Sequence, residues 1–310
     1  MKINHSCAFE PGQVEALVIT TGSIGLLSFV VTACVIVVAI GFYKAHQVIF
    51  QRLVLYLLIS ILVYSGILVM QAALKYQNIL GLCKTLAFLF LYAMWLKMLF
   101  TSWITFYLYV LAEFNRNLHE RKHEAVYVIS SILIPLPIAC VPLITNTYGQ
   151  AGAWCWIKAT DSNCEPLRTG MIEQFALWYG PIVVLTVVDV LAVIRIAHIL
   201  CKRAWKYDRE FHDPLLPKQN HRAALKEVLP LIAYPIAFHV AILIALADRI
   251  YTVVKNESFD LGLAHTIVTS SWGWLAAVTL LIHLHVLRKH KRENVHAPSF
   301  TQYEPSHSES

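Results

Sequence analysis

Long apolar runs separated by short polar stretches occupy nearly the whole chain. Seven of them, at 16–43, 53–75, 83–110, 125–145, 169–201, 223–247 and 261–287, are each long enough to cross a bilayer. A spanning helix needs about 20 mostly apolar residues. Within hydrocarbon the backbone must satisfy its own hydrogen bonds, so helices are the expected form. Strands of a membrane barrel would alternate apolar and polar positions over ~10 residues, and these runs do not. The pattern predicts an all-α fold, a seven-transmembrane helix bundle. Residues 1–15 form a short polar segment, 16–290 the transmembrane domain, and 291–310 a polar, Ser-rich tail expected to be disordered.

The polar connections set an expected orientation. Basic residues flanking spanning helices mark the cytoplasmic side. Lys44 and Arg52 follow the first run; Arg116, Arg121 and Lys122 follow the third; Lys202, Arg203, Lys206, Arg209, Lys218 and Arg222 follow the fifth; Arg288, Lys289, Lys291 and Arg292 follow the seventh. The alternate connections carry fewer. The amino terminus is therefore expected outside and the carboxyl terminus inside, in a multi-pass protein of the cell membrane. Two Asn-x-Ser acceptors, at Asn4 and Asn256, fall on the segments so placed outside and are candidate glycosylation sites. Cys7, Cys83, Cys155 and Cys164 fall on the same side, where disulfides persist, while Cys34, Cys140 and Cys201 do not.

Composition agrees with this picture. The 310 residues are 57% hydrophobic and 14% charged, against about a quarter charged in an ordinary soluble domain. The net charge of +6 reads as loop bias and attraction to anionic membrane lipids. Nucleic acid is not an expected partner, because no basic stretch stands clear of the membrane.

The most distinctive stretch is Tyr148-Gly149-Gln150-Ala151-Gly152-Ala153-Trp154-Cys155-Trp156-Ile157, between the fourth and fifth runs. Its glycines suit tight turns and its tryptophans suit a membrane interface. A bridge from Cys83, at the mouth of the third run, to Cys155 would draw this loop over the bundle as a lid. Four outer cysteines allow three pairings, and the sequence alone does not choose among them.

With these features the chain resembles a G-protein-coupled receptor, and in particular the slime-mould cyclic AMP receptor family and its orphan animal relatives. The Gly152-Ala153-Trp154-Cys155-Trp156-Ile157 run is similar to that family's loop. Lys226-Glu227-Val228-Leu229-Pro230-Leu231-Ile232, Tyr234-Pro235 and Arg249-Ile250-Tyr251 are similar to its sixth helix. The likeness covers about residues 16–290. It implies a Cys83–Cys155 disulfide, leaving Cys7 and Cys164 as a second pair. It also implies a small-molecule ligand outside and a heterotrimeric G protein inside, with Arg116, Arg203, Arg222 and Lys226 bordering the cytoplasmic cleft. The chain departs from rhodopsin-like receptors. Leu111-Ala112-Glu113-Phe114-Asn115-Arg116 replaces an Asp-Arg-Tyr signature, and the seventh run has no Asn-Pro-x-x-Tyr.

Charges at membrane depth need a partner or a task. Lys97 lies about 21 Å along the third helix from Cys83, and Asp189 lies deep in the fifth run. One expectation is that they pair as an inter-helix lock; the alternative has Lys97 snorkelling or lining a wet cavity, with Asp189 bonded to hydroxyls. Prolines 181, 230 and 235 are expected to kink their helices. Gln71, Tyr92, Trp95, Glu173, Trp178, His239 and His265 lie in the expected outer halves and are candidate ligand-binding residues. With Glu173 and His239 as its expected charge contributors, such a cavity would suit a modestly polar or cationic ligand at least as well as an anionic nucleotide, and cyclic AMP is not the expected ligand.

Other seven-helix classes fit less well. A retinal protein needs a lysine in the seventh helix, and 261–287 holds none. A zinc hydrolase needs several ligands at one depth, whereas His239, His265, His283 and His285 are scattered. A transporter would show a duplicated unit. No cofactor, metal site or enzyme activity is expected. The remaining rival is a seven-helix scaffold without G-protein coupling.

Overall fold

The structure, a computed structural model, describes residues 9–43, 49–74, 80–114, 121–161, 165–210, 235–236, 238–251 and 258–296. The first three apolar runs form α1 (Pro11–Gly41), α2 (Ile49–Leu74) and α3 (Leu80–Phe114). The fourth is broken into α4 (Arg121–Leu133) and α5 (Pro135–Ile144), followed by a hairpin of β1 (Tyr148–Ala151) and β2 (Trp154–Ile157). The fifth is α6 (Arg168–Gln174), a π-turn (Phe175–Tyr179) and α7 (Gly180–Glu210). A helix over 238–251, here α8, occupies part of the sixth run, and α9 (Phe259–His296) is the seventh. Six of these helical stretches are long and apolar enough to span a membrane. This is a multi-pass membrane protein with a seven-helix bundle fold. The last helix continues to His296, past the expected end at residue 290.

Each boundary has a local cause. Pro11 begins α1, where a missing N–H costs nothing, and the Glu10 N–H donates to Gln13 Oε1 at 3.2 Å. The α4–α5 break falls at Pro135, which offers no N–H to the preceding turn. Tyr92 reaches from α3 into this break and donates to the Ile132 carbonyl at 3.2 Å. The break expected at Pro181 takes the form of the π-turn. The Gly180 N–H bonds back to the Phe175 carbonyl, so five residues fill a turn that usually holds fewer than four.

Helix α3 is the axis of the bundle, in contact with α2, α4, α5, α7 and both strands. Its buried Leu91, Met98, Ile104 and Leu108 interlock with Leu53, Leu57, Leu58 and Ile61 of α2. Exposed apolar side chains such as Leu26, Val37, Val184, Leu191 and Ile282 cover the outer faces, as lipid requires. Helix α1 packs on α2 and α9. Gly273 permits that three-helix approach: a Cβ there would lie 2.8 Å from Ser28 Cβ and 3.0 Å from Ile61 Cγ2. Ser28 Oγ donates to the Ser270 carbonyl at 2.6 Å across the seam.

The hairpin is an element the apolar pattern did not announce. Its strands pair antiparallel with Ala151 opposite Trp154 and Gln150 opposite Cys155. Gly152 takes φ +66° in the two-residue connection, a conformation such turns assign to glycine.

Candidate functional site

The hairpin is fastened to the helix ends at many points. Cys83 and Cys155 form a disulfide with S–S 2.05 Å and Cα atoms 5.4 Å apart. The Gln71 side-chain amide pairs with the Cys155 backbone like a strand neighbour. It donates to the carbonyl and accepts from the N–H, both at 3.3 Å. Tyr148 is buried and donates to the Ala139 carbonyl at 2.9 Å; burial lifts its phenol above the ordinary tyrosine range. Gln174 donates to the Ile157 carbonyl at 2.8 Å, and Thr147 donates to the Glu173 carboxylate. Helix α6 sits so close to the hairpin that a Cβ on Gly170 would run into the Lys158 carbonyl.

Under this cover lies a partly open cavity. Its lining, mostly aromatic and apolar with a few polar groups, is of the kind that takes small molecules. Trp154 and Trp156 of the hairpin roof it. Tyr64, Phe90, Met94, Trp178, Tyr179, Phe238 and Trp272 supply most of the wall, and Thr266, Thr269 and Ser270 of α9 add hydroxyls. Two cations line it, Lys97 and Arg249. None of the lining residues is Asp or Glu among the described residues. Arg249 lies under the roof, its guanidinium 5.7 Å from the Trp156 ring centre, and Nε donates to the Tyr179 hydroxyl at 2.9 Å. His265 Nδ1 and Asp248 Oδ2 are 2.8 Å apart, which couples α9 to α8.

Lys97 lines the cavity further from the roof. It is 6% exposed, and its ammonium sits 3.4 Å above the centre of the Tyr64 ring. Among the described residues no carboxylate lies within salt-bridge distance of it. A lysine at the centre of a spanning helix costs at least ~2.5–3.5 kcal/mol. A desolvated cation–ring contact returns about 2 kcal/mol. The ring alone leaves the charge under-compensated.

The expected Lys97–Asp189 lock does not form. Asp189 is buried and accepts from Ser102 Oγ at 2.8 Å, with His239 Nε2 at 3.4 Å. Ser102 lies five residues past Lys97 on α3, about 7.5 Å along the axis. Asp189 therefore sits over a turn too deep to meet the lysine.

Of the seven proposed ligand residues, Trp178 and His265 line the cavity. The other five support its walls or lie deeper. Gln71 and Glu173 hold the hairpin and Tyr92 faces α4. Trp95 stacks edge-on against Trp178, with centroids 5.9 Å apart, and donates to the Leu177 carbonyl at 3.0 Å. His239 faces Asp189. The charge expected from Glu173 and His239 is accordingly replaced by that of Lys97 and Arg249. Arg249, legible in the sequence as a cation near the outer rim, stood outside the proposed ligand set and lines the wall. Tyr64 and Trp272 carried no signal that separates a cavity wall from core. Arg116, Arg222, Lys226, Cys7, Cys164, Asn4 and Asn256 lie outside the described residues, as does the side chain of Arg203.

Residues 13–297 match the family described as "Slime mold cyclic AMP receptor". The chain belongs to that family. One curated relative, Cyclic AMP receptor 1 of Dictyostelium discoideum, is 25% identical over 202 residues. That match covers 64% of this chain and 46% of the relative, so the chain spans under half the length of the relative it matches. Among solved structures, squid rhodopsin superposes with a TM-score of 0.64 at 13% identity, covering 95% of this chain and 90% of that one. At that identity the likeness is one of fold. Family and fold agree in placing the chain among seven-helix membrane proteins of the cyclic AMP receptor family.

Proposed function

We propose that this protein transduces binding of a small extracellular ligand to a cytoplasmic heterotrimeric G protein. The observation that carries this reading is the aromatic cavity between α2, α3, α7, α8 and α9, roofed by a disulfide-pinned hairpin. In this reading the hairpin end faces outward. The concentration of basic residues at the opposite helix connections supports that orientation, as does the presence of the disulfide at the hairpin end. Arg116, Arg203, Arg222 and Lys226 then border the G-protein cleft. The name of the matched relative makes cyclic AMP the first ligand to test. Neither Glu173 nor His239, the expected sources of charge, lines the cavity, while Lys97 and Arg249 do.

Purified protein mixed with heterotrimeric G proteins is expected to accelerate guanine-nucleotide exchange on at least one Gα class. The double substitution Arg203→Glu with Lys226→Glu is expected to abolish the acceleration while surface expression persists. No acceleration on any Gα class, with or without cyclic AMP, would favour the scaffold reading. Unchanged exchange in the double variant would remove those two residues from the contact.

A further inference from the structure

We propose that Lys97 is the anion-anchoring residue of the cavity, and that the ligand binds charge-inward. A carboxylate or phosphate would meet the Lys97 ammonium at the floor, while a flat apolar body lies between the aromatic walls under Trp154 and Trp156. This inference rests on the reading of the cavity as the ligand site and adds to it the charge and direction of the ligand.

Three observations lead here. Lys97 is almost wholly buried, lines the cavity, and has a tyrosine ring as its neighbour where a carboxylate would be expected. A charge held in that way is retained when it has a task. The carboxylate at nearest depth, Asp189, is engaged by Ser102 and His239. The carboxylate nearest the rim, Asp248, is engaged by His265. Neither is left to neutralise the floor, and no acid lines the wall among the described residues. A cationic ligand would therefore face two like charges in a low-dielectric space. An anion would supply the charge partner that Lys97 lacks among the described residues.

The direction follows from the two cations. Arg249 already donates to Tyr179 and lies beside Trp156. The floor offers Lys97 with three donor hydrogens and a single ring contact. The rings that share the cavity with Lys97 and Arg249, Trp178 and Tyr179 among them, suit a planar or apolar body. The anion is therefore assigned to the floor.

The test uses the full chain purified in detergent and two charge-matched probe pairs: indole-3-acetate with indole-3-acetamide, and cyclic AMP with adenosine. Thermal unfolding is followed for the wild type, Lys97→Met and Ala245→Trp, the last of which fills the cavity from α8. A ligand that binds only the folded state raises Tm in a saturable way. At millimolar probe, at least one anion is expected to raise the wild-type Tm by several degrees, and its neutral partner to raise it by less than one. The shift should vanish in both variants. Without any probe, Lys97→Met is expected to melt higher than the wild type, because the unpaired charge is gone. Lys97→Arg should keep a reduced anion shift.

Failure of both anions to stabilise the wild type overturns the proposal. A lower probe-free Tm for Lys97→Met would do so as well, by making the lysine a structural element. An anion shift that survives Lys97→Met but is lost in Ala245→Trp would leave the cavity as the ligand site and place the anion elsewhere in it. A shift that survives both variants would remove the cavity itself from the reading.

Discussion

The indole of Trp95 completes a backbone that Pro181 leaves short. In an α-helix the Leu177 carbonyl would accept from residue 181, which as proline has no N–H. Trp95 Nε1 takes that carbonyl at 3.0 Å from the neighbouring helix. Replacing Trp95 by Phe keeps most of the apolar surface and strands a buried acceptor, a loss of about 1–3 kcal/mol. The expected outcome is a lower Tm for Trp95→Phe in detergent. The same substitution should cost less in a Pro181→Ala background, where the backbone donor is restored. Equal losses in the two backgrounds would mean that the indole acts through packing alone. This partnership was not legible in the sequence. Trp95 stood out as a polar aromatic at the right depth, but depth is all that position along a helix reveals. Which way a side chain faces depends on the accumulated twist of its helix and on where the neighbours lie.

The hairpin was only partly legible. Its glycines, tryptophans and Cys155 marked it as a lid, and the family likeness implied the bridge to Cys83, which is present. That it is made of two paired strands was hidden, because four-residue strands alternate too briefly to register against the long apolar runs. Nor could the sequence show that Gln71 would act as a strand partner to Cys155. Gly170 holds the other side, where the Lys158 backbone occupies the space of a Cβ. Backbone cannot swing aside as a long side chain can. Gly170→Ala should therefore lever α6 from the hairpin and cost about 1–3 kcal/mol, in the range of an overpacked core. The measurement is Tm together with the accessibility of Trp154 and Trp156 to an aqueous fluorescence quencher. Unchanged quenching would mean that the helix shifts while the lid stays seated.

Across the bundle, polar contacts join α8 to its neighbours alongside the apolar packing of Phe238 on Trp272. His239 faces Asp189 of α7, Asp248 meets His265 of α9, and Arg249 donates to Tyr179 at the π-turn. The Asp189–His239 separation of 3.4 Å lacks good hydrogen-bond geometry, and neither His239 nitrogen has a hydrogen bond among the described residues. A contact of this kind is easily exchanged for another. In the receptor reading, Asp189→Asn is expected to release α8 and raise ligand-independent nucleotide exchange severalfold. His239→Phe should do the same. A lower Tm with unchanged basal exchange in both variants would reduce the contact to packing. Seven runs, their lengths and the depth of each charge could be read directly, because hydrocarbon admits so few arrangements. The pairing of those charges could not: Lys97 and Asp189 were the two obvious partners in one dimension, and the structure separates them by over a turn.

The π-turn has an angular consequence for that same aspartate. Each residue advances an α-helix by about 100°, so one extra residue in the turn at 175–179 shifts the phase of everything after it. Remove that residue, and Asp189 rotates into the azimuth now held by Val188, which is 55% exposed on the outer face. Val190 would take its place opposite Ser102. The inward aim of the deepest carboxylate in α7 is thus set about three to four turns upstream, by the insertion that accompanies Pro181.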